Sequence, residues 1–276
     1  MIYHIDGHAD SILPDGYEWE LVWHDEFDGE ELDMTKWSYR LHYQGKRHQT
    51  YVDDLVSLDG NSNVVFRLEE RNGQYYSSVL QTGENKTDRG PGDENTTLRK
   101  DGKAKFAHKY GYYECRCILQ KEKPWWSAFW IQSENIADEN LPPEKAGVEV
   151  DVMESFSPGR VIPHFNHWGG YGDGHKFANT AGIDRWATDA DAFNVEDGYH
   201  LFGVDWEDDG YTFYVDGVQS GKKIEGPVSH VEEFILLFTE CVGYRDAIPG
   251  YIASNEFGHG ISDKFIVDFV RVFDRK

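Results

Sequence analysis

Short runs in which apolar and polar positions alternate recur along the whole chain, each closed by a cluster of Gly, Asp or Asn such as DDLVSLDGNSN, QTGENKTDRGPGDEN or VDWEDDGYTFYVDG. The run YTFYVDGV alternates and meets the pair Asp216-Gly217, residue types that accept the positive φ of a two-residue hairpin turn. Before it, YHLFGVDW alternates and ends at the turn from Glu207 to Gly210, so the segment predicts a three-strand antiparallel meander. The closing SDKFIVDFVRVFDRK can be drawn as an amphipathic helix, but its Phe and Val content predicts a strand. Many strands and few helical signals imply an all-β chain of two stacked, curved antiparallel sheets. Its 276 residues contain no repeat or low-complexity linker, which predicts one domain over 1–276 with about the first 16 residues as an extension.

One run breaks the pattern. VEVDVMESF places Glu149, Asp151 and Glu154 among Val150, Val152 and Met153, although acids are depleted in strands. In a regular strand Glu149 and Asp151 share a face, while Glu154 points to the other. A β-bulge at Val152-Met153 restores the phase and lines all three carboxyls on one face. The two glutamates then stand two side-chain steps apart, roughly 7 Å before rotamers close the gap, near the spacing of a retaining glycosidase pair. Clustered carboxylates cannot all ionise cheaply, so one proton is held for a general acid. A solvated acidic edge or part of a calcium site remains the alternative.

Around this run lie KPWWSAFWIQ, which puts Trp126 and Trp130 on one strand face, and HFNHWGGYGDGHK, which adds His164, His167 and Trp168 beside a glycine-rich turn. Indoles and imidazoles suit stacking on sugars and hydrogen bonds to their hydroxyls; core packing and a metal site are the rival accounts. A formal charge of −23 repels nucleic acid and anionic membranes and favours a neutral polymer, although local basic residues such as Arg160 and Lys176 keep sulfated chains open. Cys115, Cys117 and Cys241 fit buried free thiols better than a bridge or a zinc site. No run approaches a membrane span, and the start lacks a leader pattern. The expectation is a soluble monomer, secreted or periplasmic if a signal peptide was trimmed and cytoplasmic if the chain is complete.

The run from Glu149 to Glu154, with Met153 as the extra residue, resembles the signature of glycoside hydrolase family 16 in its bulged, laminarinase-like branch. WHDEFDGEELDMTKW, HQTYVDD, KYGYYECRCIL, WWSAFW, YHLFGVDWEDDGYTFYVDG and VDFVRVF resemble family segments in family order. The resemblance implies a jelly-roll β-sandwich with a concave cleft, with Glu149 as nucleophile, Glu154 as acid and base and Asp151 as helper. It places Trp126, Trp130, His167 and Trp168 in the cleft and matches Glu114 and Arg116 to a family pair, for which structural ion pairing is an equal reading. It needs no catalytic cofactor and allows a structural calcium on Asp268 and the carbonyl of Gly60. Ser127 stands where proline is usual, and FTECVGYRDA replaces a Gly-Gly stretch, so Glu240 is a further cleft candidate. An endo-β-1,3-glucanase is the leading expectation. An endo-β-galactanase on agar, porphyran or carrageenan is the alternative, with transglycosylation or a non-catalytic glycan-binding module behind it.

Overall fold

An alternating strand buries one face only if a second sheet covers it, and the chain meets that demand with two stacked sheets. A computed structural model describes residues 1–40, 51–72, 74–83, 104–120, 125–155, 162–180, 198–241 and 264–276. The larger sheet runs β17 (Val218–Gln219), β16 (Gly210–Val215), β15 (His200–Glu207), β10 (Gly111–Ile118), β19 (Phe265–Arg275), β6 (Val64–Phe66) and β5 (Val56–Leu58), and β3 (Trp19–Asp25) also pairs with β19. The other runs β14 (Lys176–Thr180), β13 (His164–Trp168), β12 (Glu149–Ser155), β11 (Trp125–Gln132), β18 (Phe234–Cys241), β9 (Ser78–Gln81) and β4 (Ser38–Tyr39). Two small hairpins, β1 (Ile2–Tyr3) with β2 (Ser11–Ile12) and β7 (Glu69–Arg71) with β8 (Gln74–Tyr76), and one helical turn, α1 (Pro143–Ala146), complete the described elements. All of the strand pairings within these sheets are antiparallel.

The main core lies between the sheets. Phe129, Ile131, Val150, Val152, Met153, Ile235 and Leu237 face Tyr113, Cys115, Cys117, Phe202, Val204, Phe213, Val267 and Val270. The fold is thus the all-β jelly-roll sandwich expected from the sequence. The meander is β15–β16–β17, with Asp216 at φ 50° and Gly217 at φ 74° in its tight turn. The closing segment is strand β19, as its Phe and Val content predicts. Cys115 and Cys117 are buried free thiols, whereas the side chain of Cys241 lies outside the described residues, as do Trp125's side chain and Arg160.

The first residues pack onto the outer face of the larger sheet. Leu13 joins Trp19, Tyr112 and Phe273 in a second apolar cluster. Beneath it, fully buried Arg271 donates to both carboxylate oxygens of Glu26 (2.9 and 2.7 Å), to the Ala9 carbonyl (2.9 Å) and to Ser11 Oγ (2.8 Å). The bidentate geometry offsets the desolvation of the pair and ties the amino-terminal hairpin to the last strand. Glu114 is buried in the same layer, and burial pushes its carboxyl up to about 7.

The predicted bulge is present. Phe129 pairs with Met153 and Trp130 with Asp151, so Val152 is the extra residue of β12. Both Val152 and Met153 are buried in the core. Pairing of β12 with β13 ends at Asp151, and the Val152 carbonyl instead accepts from Nδ1 of His164 at 2.7 Å. Burial drives His164 down to about 4, so it is neutral; with Nδ1 as donor, Nε2 accepts from Ser220 Oγ at 2.7 Å. The ring stacks on Phe213 at 4.5 Å. His164 therefore points inward and braces the bulge, where the sequence placed it among sugar-binding groups. His164→Phe should keep the stack but strand the Val152 carbonyl, costing about 1–3 kcal/mol in a urea titration; an unchanged midpoint would show that the bulge needs no such brace.

Candidate active site

Because of the bulge, Glu154 sits opposite Ala128 while Asp151 sits opposite Trp130, and both neighbours lie on the same face of β11. Glu149, Asp151 and Glu154 consequently share the face of the smaller sheet that looks away from the core. The same face carries Trp126, Trp130 and Gln132 from β11, Phe238 and Glu240 from β18, and Phe165 and His167 from β13. Glu149 lies directly across from His167, and Asp151 across from Phe165.

Local packing sets the entry to β12. Gly147, at φ 95°, joins α1 to the strand, and a Cβ there would run into Ser133 and come within 3.3 Å of Glu233. Glu233 is fully buried and accepts from the Val148 N–H at 3.0 Å. Burial, with a smaller contribution from the charge of Glu149, pushes Glu233 up to about 8, so it is mostly neutral at pH 7 and adds little negative charge to the acidic face.

Asp151 is only 5% exposed, and its Oδ2 lies 3.3 Å from Nε2 of His167. On the other side of that ring, Nδ1 of His167 lies 3.0 Å from Nε2 of His175. A carboxylate only accepts, so Nε2–H of His167 facing Asp151 leaves Nδ1 to accept from His175. Tyr171 hydrogen-bonds Glu149 from the glycine-rich turn between β13 and β14. Glu149, Asp151 and His167 offer ligand atoms within 4.8 Å of one another, but these hydrogen bonds account for the arrangement without an ion.

The remaining sequence candidates divide. Trp126 is 6% exposed and packs edge-on against Phe238 in an apolar cluster with Tyr51 and Val79, so most of its ring is packing rather than free platform. Trp130 is more open, lies under the Arg40 guanidinium at 5.6 Å, and its indole N–H has no hydrogen-bond partner among the described residues. Glu240 is on the shared face but buried, and it accepts from the Tyr51 hydroxyl at 3.0 Å. Trp168, expected in the cleft, alternates with His167 and packs against the inter-sheet core. That expectation is corrected by strand periodicity: adjacent residues on β13 cannot both face the carboxylates.

Glu114 and Arg116 lie on the larger sheet, away from this face, and serve structure. Arg116 pairs with Asp268 at 2.5 Å, and its guanidinium stacks over Tyr199 at 4.2 Å. Tyr199 in turn donates to Asn63, in the same turn as Gly60. A guanidinium held against the Asp268 carboxylate repels a divalent cation, so these residues do not fit the calcium site implied by the resemblance.

Sequence reasoning missed Tyr171, His175, Gln132, Arg40 and the exposed Phe177, which lies across from His167. The glycines around Tyr171 marked a turn, but only the fold shows that this turn carries its side chains back over β12.

The profile of the Glycosyl hydrolases family 16 matches residues 48–225, more than half of the chain, and the protein belongs to that family. It is 27% identical over 221 residues to the "Glucan endo-1,3-beta-glucosidase A1" of Niallia circulans, covering 71% of this chain and 28% of that protein. It is 27% identical to the "Glucan endo-1,3-beta-glucosidase" of Cryptopygus antarcticus, covering 72% of this chain and 67% of that one. The chain thus spans little more than a quarter of the first relative. In fold it superposes on the endo-beta-1,3-glucanase of Pyrococcus furiosus with a TM-score of 0.66 at 22% identity, covering 95% of this chain and 97% of that structure.

Glu233 makes stability depend on pH. Between the ordinary carboxylate value of 4.5 and about 8, the folded state holds a proton that the unfolded chain has released, so this group's contribution falls as pH rises across that window. Glu233→Gln keeps an acceptor for Val148 and never ionises. Its Tm should gain on the wild type from pH 5 to pH 8.5; a constant difference would contradict burial of a neutral acid.

Proposed function

We propose that this protein is an endo-acting, retaining glycoside hydrolase that cuts β-1,3-linked glucan. The observation that carries the proposal is the bulge at Val152-Met153, which sets Glu149, Asp151 and Glu154 on one strand face. The family membership and the glucanase names of its relatives support this substrate class.

In the reaction, the Glu149 carboxylate attacks the anomeric carbon while Glu154 protonates the departing glycosidic oxygen, leaving a glycosyl ester on Glu149. Glu154, now ionised, takes a proton from water as that water attacks the same carbon and restores the Glu149 carboxylate. Asp151, between them and oriented by His167, disfavours extra charge on its neighbours and helps Glu154 keep its proton. Trp130, half-buried, offers a ring edge to sugar, and Phe177, 58% exposed, offers a ring face.

Glu149→Gln and Glu154→Gln should each lose most turnover, on the order of a thousandfold or more, while retaining polysaccharide binding. Azide should rescue Glu149→Gly and yield an α-glycosyl azide. Laminarin, mixed-linkage glucan, agarose, porphyran and carrageenan, with products sized, test the substrate. Oligosaccharides from laminarin are expected. Products from a galactan alone would overturn the glucan assignment, and wild-type turnover by either Gln variant would overturn the catalytic one.

A further inference from the structure

Gln132, at the end of β11, is 1% exposed and sits between two groups outside the signature strand. With its carbonyl oxygen toward Arg40, it accepts from that guanidinium at 3.0 and 3.1 Å, and its amide nitrogen lies 2.9 Å from Oη of Tyr171. The opposite orientation would set the amide N–H groups against guanidinium N–H groups, donor against donor, so the first is the satisfied one. Tyr171 then receives a hydrogen bond from Gln132 and has a single proton to give, which it gives to Oε2 of Glu149.

We propose that Arg40, Gln132 and Tyr171 form a one-way donor chain that fixes the carboxylate of Glu149, making Tyr171 a positioning residue for the nucleophile. The inference rests on the assignment of Glu149 made above. Arg40 supplies a cation at the start of the chain and Glu149 an anion at its end, so each bond polarises the next in the same direction. Arg40 is 3% exposed, and its place over the Trp130 ring ties the chain to the strand beside β12. Gln132 and Arg40 are both buried, so water has little room to replace Gln132.

The chain has consequences in both half-reactions. Holding Oε2 leaves Oε1 to form the bond to the anomeric carbon, at a fixed rotamer. Once the glycosyl ester has formed, Oε2 is its carbonyl oxygen. The Tyr171 proton then draws charge onto Oε2 as the C1–Oε1 bond breaks and water adds at C1, so Glu149 departs more readily as a carboxylate. Tyr171 touches neither sugar nor water in this scheme and acts through Glu149.

Two substitutions test this. Tyr171→Phe keeps the ring, which is 46% exposed and makes little contribution to the core, and removes only the hydroxyl. Its kcat should fall about tenfold or more with KM changed less than about twofold. Gln132→Glu retains Tyr171 and still pairs with Arg40, but residue 132 becomes an acceptor that competes for the Tyr171 proton. It should reproduce the loss in kcat although the phenol is intact, an effect that ring packing alone would not produce. A wild-type or faster kcat in Tyr171→Phe would overturn the proposal, as would a wild-type kcat in Gln132→Glu. Azide rescue of Glu149→Gly reports on the nucleophile separately: rescue with a normal Tyr171→Phe enzyme defeats the chain alone, whereas failed rescue defeats the assignment of Glu149.

Discussion

One extra residue in one strand governs this molecule. Had Val152 paired in register without a bulge, β12 would keep its strict alternation, and Glu149 and Glu154 would emerge on opposite faces of the sheet. With it, Val152 and Met153 both enter the core, and three carboxylates leave it together. The cost of the bulge is an orphaned backbone carbonyl in a dry interior, and buried, neutral His164 meets it. The core side of β12 thereby stabilises the arrangement that its outer side uses.

The acidic face is held by partners that add little charge of their own. Glu233 grips the strand entry as a mostly neutral acid, His167 and His175 line up behind Asp151, and Tyr171 bonds Glu149. Arg40, a buried cation in this set, is linked to Glu149 through Gln132 and Tyr171. A guanidinium in direct contact would hold the carboxylate in a tight ion pair and blunt it as a nucleophile, whereas a neutral donor orients it without neutralising it.

Much of this was legible in the sequence because it rests on periodicity. Two-residue alternation gave the strands, Asp216-Gly217 gave the hairpin, and three acids out of phase in VEVDVMESF required the bulge. The same periodicity, applied to β13, separates His167 from its neighbours His164 and Trp168; the sequence reading grouped all three by composition, and the fold turns two of them inward. The contacts at Tyr171, Gln132 and Arg40 were not legible, since they join a turn, a strand end and a distant edge strand whose proximity exists only in the folded sheet. The pairing of Asp268 with Arg116 was hidden for a related reason: Arg116 lies on a neighbouring strand, far away in sequence.

The central claim is that the bulge turns Glu149 and Glu154 into a pair that works through a covalent glycosyl ester. Proton NMR of the first products from laminarin, recorded before mutarotation, tests it most directly. Release of the β-anomer is the predicted result; initial release of the α-anomer would mean single-step inversion and would contradict the account.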